Sequence, residues 1–281
     1  MDWSLVFNFT DYDKLLPLVT NSIIAGALLA LIGGLVGVFV MTRELSFAVH
    51  GIAELSFAGA AVFLLVGLDV VYGSVFGSLI AAAIIAFLGD RAKDRNSIVA
   101  VLMPFGLGIG ILALSLYPGR AANKFGLLTG QIVAVDDPKL ASMVVMTVIV
   151  LISMLLIWRP LSFASLDPEV AAARGVRVKL LGVVFVILLG IAVAAAVQVV
   201  GALLVLALLV TPAAAALRLS SSALWVPILS VVFAMISMIG GILLALGGTL
   251  PISPYVTTIS FLIYIIARLV AFARDRMEVK A

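Results

Sequence analysis

Leu180 to Leu217 reads LLGVVFVILLGIAVAAAVQVVGALLVLALLVTPAAAAL, without one Asp, Glu, Lys or Arg. A helical bilayer crossing takes about 20 mostly apolar residues. The stretch is roughly twice that length, so the chain must turn inside it, near Gln198–Gly201. Composition agrees that lipid is the main solvent. The 281 residues are 64% hydrophobic and 11% charged, with a mean hydropathy of +1.34. Soluble domains are about 45–50% apolar and about 25% charged.

Working outward, apolar runs between charges predict helices near 18–41, 46–67, 70–88, 97–117, 139–158, 180–197, 199–217, 222–246 and 254–272. In lipid, backbone groups must be satisfied within the segment, which selects helices. The fold class is all-α, a polytopic membrane bundle of about nine transmembrane helices, or eight if a short one is re-entrant. Residues 1–281 read as one transmembrane domain. The start, Met1-Asp2-Trp3-Ser4, lacks the positive region of a cleaved signal peptide. Cysteine is absent, which excludes disulfides and thiolate ligands. There is no basic, aromatic-interleaved patch of the kind nucleic acid needs. The GLGIG run at Gly106–Gly110 lacks the strand-then-helix setting of a nucleotide loop. Pro104 beside it fits a membrane helix instead. Gly26, Ala30, Gly33, Gly34 and Gly37 in the first run predict close helix packing.

Charge placement tests the count. With nine spans and a cytoplasmic C-terminus, the inside segments hold Arg43, Arg91, Lys93, Arg95, Arg159, Arg174, Arg177, Lys179, Arg218, Arg268, Arg274, Arg276 and Lys280. Lys14, Arg120, Lys124 and Lys139 fall outside. Thirteen of the seventeen basic residues are then inside, as the positive-inside rule requires. A single crossing over 180–217 would put the basic tail outside.

The longest inside loop, 159–180, contains a short helix with defined ends. Asp167 suits its N-cap, Pro168 its first position and Glu169 the positive end of its dipole. Alanines through Ala173 propagate it, and Gly175 can stop it in the left-handed conformation. Such a helix is either an amphipathic turn at the lipid surface or a docking element for a cytoplasmic partner.

His50, the only histidine, is followed at i+4 by Glu54, so the two side chains share one helix face inside the second run. A carboxylate at the bilayer centre costs roughly 3 kcal/mol unless it is paired. The pair is either a hydrogen-bonded lock between helices or a nitrogen-plus-oxygen site for a borderline metal such as zinc or manganese. Ser46 and Ser56 are weaker candidates of the kind that usually pack helices. Gln198 fits a hydrogen bond across helices better than a ligand. Met235 and Met238 share a helix face, but the methionines do not cluster as a copper(I) site would need.

Asp167-Pro168-Glu169, its alanine-rich turn and Gly175-Val176 are followed by Gln198-Val199-Val200-Gly201, the run Leu203–Leu208 and Thr211-Pro212-Ala213-Ala214. This block resembles the zinc/manganese class of ABC importer permeases. Leu45-Ser46-Phe47 through Gly59, the segment from Phe125-Gly126 to Val135 and Leu140, and the break at Gly247–Pro251 agree with it. The resemblance implies that residues 163–175, with Phe163, Asp167, Pro168, Glu169, Ala173 and Gly175, couple to a separate ATP-binding subunit. It also implies a homodimer with a second copy of the permease and delivery by an extracytoplasmic metal-binding protein. The location implied is the bacterial cytoplasmic (inner) membrane, N-terminus outside and C-terminus cytoplasmic. The family has Asp and then His where this chain has His50 and then Glu54, which keeps one imidazole and one carboxylate at the same spacing. Zinc or manganese would be cargo, and no cofactor would be permanently bound.

The chain carries no Walker-type phosphate loop, and with one histidine it offers few groups for catalysis. It is therefore read as a non-enzyme without catalytic residues. A permease for a metal chelate such as a siderophore or corrinoid would not need the His–Glu pair. An ion-coupled secondary transporter would show internal repeats and need no docking helix.

Overall fold

In the computed structural model, residues 12–88, 92–119, 135–202, 204–247 and 251–278 are described. The segment from Phe125-Gly126 to residue 134, Leu203, and residues 248–250 of the Gly247–Pro251 break lie outside them. After a short helical lead-in, Tyr12–Leu15 and Leu16–Val19, the helices run α1 Thr20–Thr42, α2 Ser46–Leu65, α3 Val70–Leu88, α4 Ala92–Leu116 and α5 Asp137–Leu166. They continue as α6 Pro168–Ala173, α7 Val178–Val200, α8 Val205–Leu209, α9 Thr211–Leu219, α10 Trp225–Ala245 and α11 Ile252–Glu278. Among the described residues, eight helices are long and apolar enough to cross a membrane. The all-α polytopic bundle is as the sequence predicts.

The difference lies in the uncharged stretch. Helix α7 runs through Gln198 to Val200 and stops at Gly201, whose φ of 76° lies in the region that favours glycine. The return is the broken pair α8–α9, interrupted at Val210 with Pro212 in the first turn of α9. Residues 205–219 span only about 22 Å at 1.5 Å per residue. The buried turn residues Ala202 and Leu204 therefore sit inside protein, where irregular backbone is tolerated at depth.

Helix directions alternate, so the described members of the predicted inside charges gather at one end of the bundle, here called the basic end; Arg91 and Lys280, like Arg120 and Lys124 of the outside set, lie outside the described residues. Contacts there tie separate helices. Arg43 donates to Ser165 Oγ at 3.2 Å and Arg274 to the Leu219 carbonyl at 3.2 Å.

Helices α2 and α7 are buried on most sides, whereas α5 and α11 keep apolar faces such as Ile152, Leu155, Leu156, Phe261 and Ile266 exposed, the pattern of lipid-facing helices. Small residues bring the inner helices into backbone contact. A Cβ at Gly77 of α3 would lie 2.1 Å from the Leu55 carbonyl oxygen of α2, and one at Gly37 of α1 would lie 2.0 Å from that of Leu209. Buried serines supply cross-helix hydrogen bonds. Ser56 donates to the Ser74 carbonyl at 3.0 Å, and Ser74 to that of Ala194 at 3.3 Å. This chain of bonds levels α2, α3 and α7 against one another.

Candidate functional site

Helix α2 begins at a tight turn. Glu44 adopts φ 55°, and Leu45 N–H donates to the Val40 carbonyl at 2.8 Å. A left-handed residue with a side chain costs about 1–2 kcal/mol. Arg95, from the first turns of α4, donates to both turn carbonyls, Arg43 at 3.4 Å and Glu44 at 3.2 Å. The turn is thereby fixed, and with it the start of α2.

His50 and Glu54 follow about 6 and 12 Å along the helix from Ser46 at 1.5 Å per residue. Their Nε2 and Oε1 atoms lie 3.8 Å apart. That separation is an ion-pair distance and too long for a hydrogen bond. The far atoms, His50 Nδ1 and Glu54 Oε2, are buried and have no hydrogen-bond partner among the described residues. The pair therefore makes no hydrogen bond to itself in this geometry. Between Ser46 and Ala58 only Ser46, Phe47 and His50 are not buried, the His50 side chain 26% exposed and that of Glu54 6%.

Helix α4 closes one flank. A Cβ at Gly106 would meet Leu55 at 2.7 Å and the Glu54 backbone at 3.0 Å, and one at Gly110 would meet Phe57 at 2.3 Å. The GLGIG run is thus a packing surface for the helix that carries the pair.

The other candidates fall elsewhere. Ser46 donates locally to the Met41 sulfur at 3.4 Å, and Ser56 belongs to the serine layer. Gln198 lies one turn beyond Ala194 on α7, on the far side of that layer from Glu54, so the two are about 9 Å apart along the axis by helix rise alone. Both its amide atoms are buried without a partner among the described residues, where a cross-helix bond was expected. Among the described residues, no group of three or more His, Asp or Glu side chains is placed to hold a metal ion. Among the described residues the pair supplies two donor groups, one nitrogen and one oxygen.

The predicted short helix is present at the basic end. Asp167 caps α6 by accepting from Val170 N–H at 3.0 Å, with Pro168 and Glu169 in the first turn. Gly175 stops it at φ 83°, with Gly175 N–H bonded to the Ala172 carbonyl and Val176 N–H to that of Ala171. Phe163 belongs to the last turn of α5, which continues to Leu166 because Ala164 and Leu161 pack inward. Only Ala171 of α6 is buried, while Phe163, Leu166 and Val170 are exposed. The ties from Arg95 to the α1–α2 turn and from Arg43 to Ser165, two residues before the α6 cap, were not anticipated. In the sequence these arginines count only as topogenic charges.

The manganese transport system membrane protein MntC of Halalkalibacterium halodurans is 27% identical over 82% of this chain and 80% of its own length. The high-affinity zinc uptake system membrane protein ZnuB of Haemophilus influenzae is 23% identical over 91% of this chain and 97% of its own. The fold is similar to that of PsaBC from Streptococcus pneumoniae, solved in complex with a Fab, with a TM-score of 0.84 at 22% identity over 96% of this chain and 99% of that one. The description of the ABC 3 transport family matches residues 16–271, and this chain belongs to that family.

Proposed function

We propose that this chain is the membrane-spanning permease subunit of an ATP-driven importer of zinc or manganese. The observation that carries the proposal is the His50–Glu54 pair, an imidazole nitrogen and a carboxylate oxygen buried without partners on a helix edge. The names of the relatives, one a manganese system and the other a zinc system, support the cargo class. Neutral imidazole and carboxylate suit either ion.

Two ligands are too few for an ion that takes about four. A twofold homodimer, the commonest symmetric assembly, would offer two histidines and two glutamates around its axis. These groups replace water while the ion crosses, and the binding is modest because a conducting site must also release. Residues 163–175 dock a separate ATP-binding subunit, whose hydrolysis drives the cycle. The exposed apolar side chains around α6 support that role. An extracytoplasmic binding protein delivers the metal to the opposite end. The basic end faces the cytoplasm, with the C-terminus there and the N-terminus outside.

The test is uptake of radioactive manganese or zinc by the assembled transporter. His50→Ala and Glu54→Ala should each abolish uptake and leave membrane insertion and ATPase association intact. Undiminished uptake by both variants rejects the pair as the metal site.

A further inference from the structure

Near its start α2 is uncovered at Ser46, Phe47 and His50, and helix geometry fixes which element borders that opening. Gly59 lies nine residues beyond His50, about 180° round the helix at 3.6 residues per turn. With Leu55 and Val62 it floors a cleft of about 230 Å³ that opens between α3 and α4. The cleft is therefore on the back of α2, away from His50. Helix α4 stands between the two openings, with Val99 and Met103 against Gly51 and Gly106 against Glu54. Its flank toward the cleft carries Phe105 and Ile109. Leu107 is two residues from each, about 200° round, so it belongs to the other flank, the one that borders Phe47 and His50. Ala100, Pro104, Leu107 and Ile111 follow at i, i+4, i+7 and i+11 along that flank, and all four are exposed.

Three properties separate this flank from a face that lipid covers. It adjoins polar groups. The packing of Val99 and Met103 on Gly51 sets Ala100 to Pro104 level with His50, whose Nδ1, like Glu54 Oε2, is buried without a partner among the described residues. Acyl chains offer such groups nothing. Its backbone is also incompletely bonded. Pro104 has no N–H, so the Ala100 carbonyl loses the helix donor four residues on, which in a membrane is tolerated against protein rather than against lipid. Finally, it is partly built of small residues. Beside Ala100, a Cβ at Gly108 would meet nothing within 4 Å. Small residues let helix backbones approach closely, the packing that joins helices where the hydrophobic effect cannot.

We infer that the Ala100–Pro104–Leu107–Ile111 flank of α4 is the seam against a second copy of this chain. The inference rests on the reading of His50 and Glu54 as a metal site, and it names the surface that completes that site. The pair supplies two donors where the ion takes about four. A twofold contact is isologous, so the same flank meets itself, and a copy seated there brings its own His50 and Glu54 toward the first pair. Copies joined instead through the cleft face, at Phe76 and Phe105, would hold the two pairs on opposite sides of the dimer. The seam therefore consists of α4 with Phe47 and His50 from each copy, and the cleft between α3 and α4 is left to lipid.

The chain contains no cysteine, so single substitutions report the seam without background. The test treats the full chain in native membranes with a short bismaleimide. Leu107→Cys and Ile111→Cys should each give mostly covalent dimer, while Phe105→Cys and Phe76→Cys on the cleft face should stay monomeric. Ala100→Trp, added to the Leu107→Cys chain, enlarges an exposed side chain; it should reach the membrane at the usual level and lose the covalent dimer. Cross-linking at Phe105→Cys or Phe76→Cys as readily as at Leu107→Cys overturns the seam and leaves the second copy in place. So does undiminished cross-linking of the Ala100→Trp chain. No dimer at any of the four positions overturns the seam and the second copy alike. The pattern is read without metal, so it stands or falls separately from the uptake test of His50 and Glu54.

Discussion

Glu54→Gln separates a carboxylate kept for cargo from one kept for structure, because the two roles predict opposite effects on stability. Glu54 is 4% exposed, its Oε2 has no partner and its Oε1 is 3.8 Å from His50. An unpaired carboxylate at that depth costs about 3 kcal/mol. A neutral amide with incomplete hydrogen bonding costs about 1–3 kcal/mol. The substitution should therefore leave the chain as stable as wild type, or more stable by about 1 kcal/mol. Transport should move the other way. A carboxylate and a divalent ion about 4 Å apart attract by roughly 8 kcal/mol at an effective dielectric constant of about 20. Desolvation of both partners opposes most of this. A remainder of about 2 kcal/mol is an approximately 30-fold loss of site occupancy. The measurements are thermal unfolding of the purified permease and metal uptake by the assembled transporter across a concentration series. Wild-type uptake rejects the metal site. A clear loss of stability rejects the reasoning that the carboxylate is unsatisfied.

Gly175→Val places a β-branched residue at φ 83°, costing about 1–2 kcal/mol at the stop of α6; the permease should insert normally and lose ATPase association in a pull-down. Glu169→Arg reverses the charge at the α6 N-terminus and should weaken the same association, by about 1 kcal/mol if its effect is confined to the dipole. Cysteines introduced at 165–175 should resist an impermeant reagent applied to intact cells; labelling there refutes both the topology and the docking assignment. Gly77→Val would bring its Cβ to 2.1 Å from the Leu55 carbonyl oxygen, and the chain should fail to accumulate in the membrane.

Element type and order were legible because long apolar runs bounded by charges leave little choice in lipid. Asp167, Pro168, Glu169 and Gly175 defined α6 locally, through capping chemistry that needs no tertiary partner. What was not legible depends on contacts between distant segments. The uncharged 180–217 stretch contains no signal separating a full ninth crossing from a short broken return. That choice is made where Gly201 turns inside the bundle and α8 packs against α1. Phe163 extends α5, because burial of Leu161 and Ala164 carries the helix past Pro160, and Pro160 alone reads as a break. The His50–Glu54 spacing showed a shared face, but not whether the pair satisfied itself. Only the 3.8 Å separation and the two unpartnered atoms distinguish those cases.

The helix that holds the pair is also among the least free to move against its neighbours. Gly59 and Gly73 bring the backbones of α2 and α3 into contact, where a Cβ at Gly59 would lie 2.1 Å from the Gly73 carbonyl oxygen. Gly106 packs α4 against the Glu54 backbone and Gly110 packs it against the Phe57 ring. Packing this close has discrete arrangements rather than continuous slack. An access change at His50 is therefore easier as a displacement of α2, α3 and α4 together than as a bend of α2 alone. Two attachments of this trio at the basic end run through arginines. Arg95 holds the turn carbonyls, and Arg43 on that turn holds Ser165, two residues before the cap of α6. If α6 docks a partner as proposed, its movement would act, through one arginine and one turn, on the end of the helix that carries His50 and Glu54. Arg43→Gln keeps a donor but loses the fork and the charge. It should lower uptake per ATP hydrolysed more than it lowers ATPase association. If the two fall together, Arg43 serves docking alone.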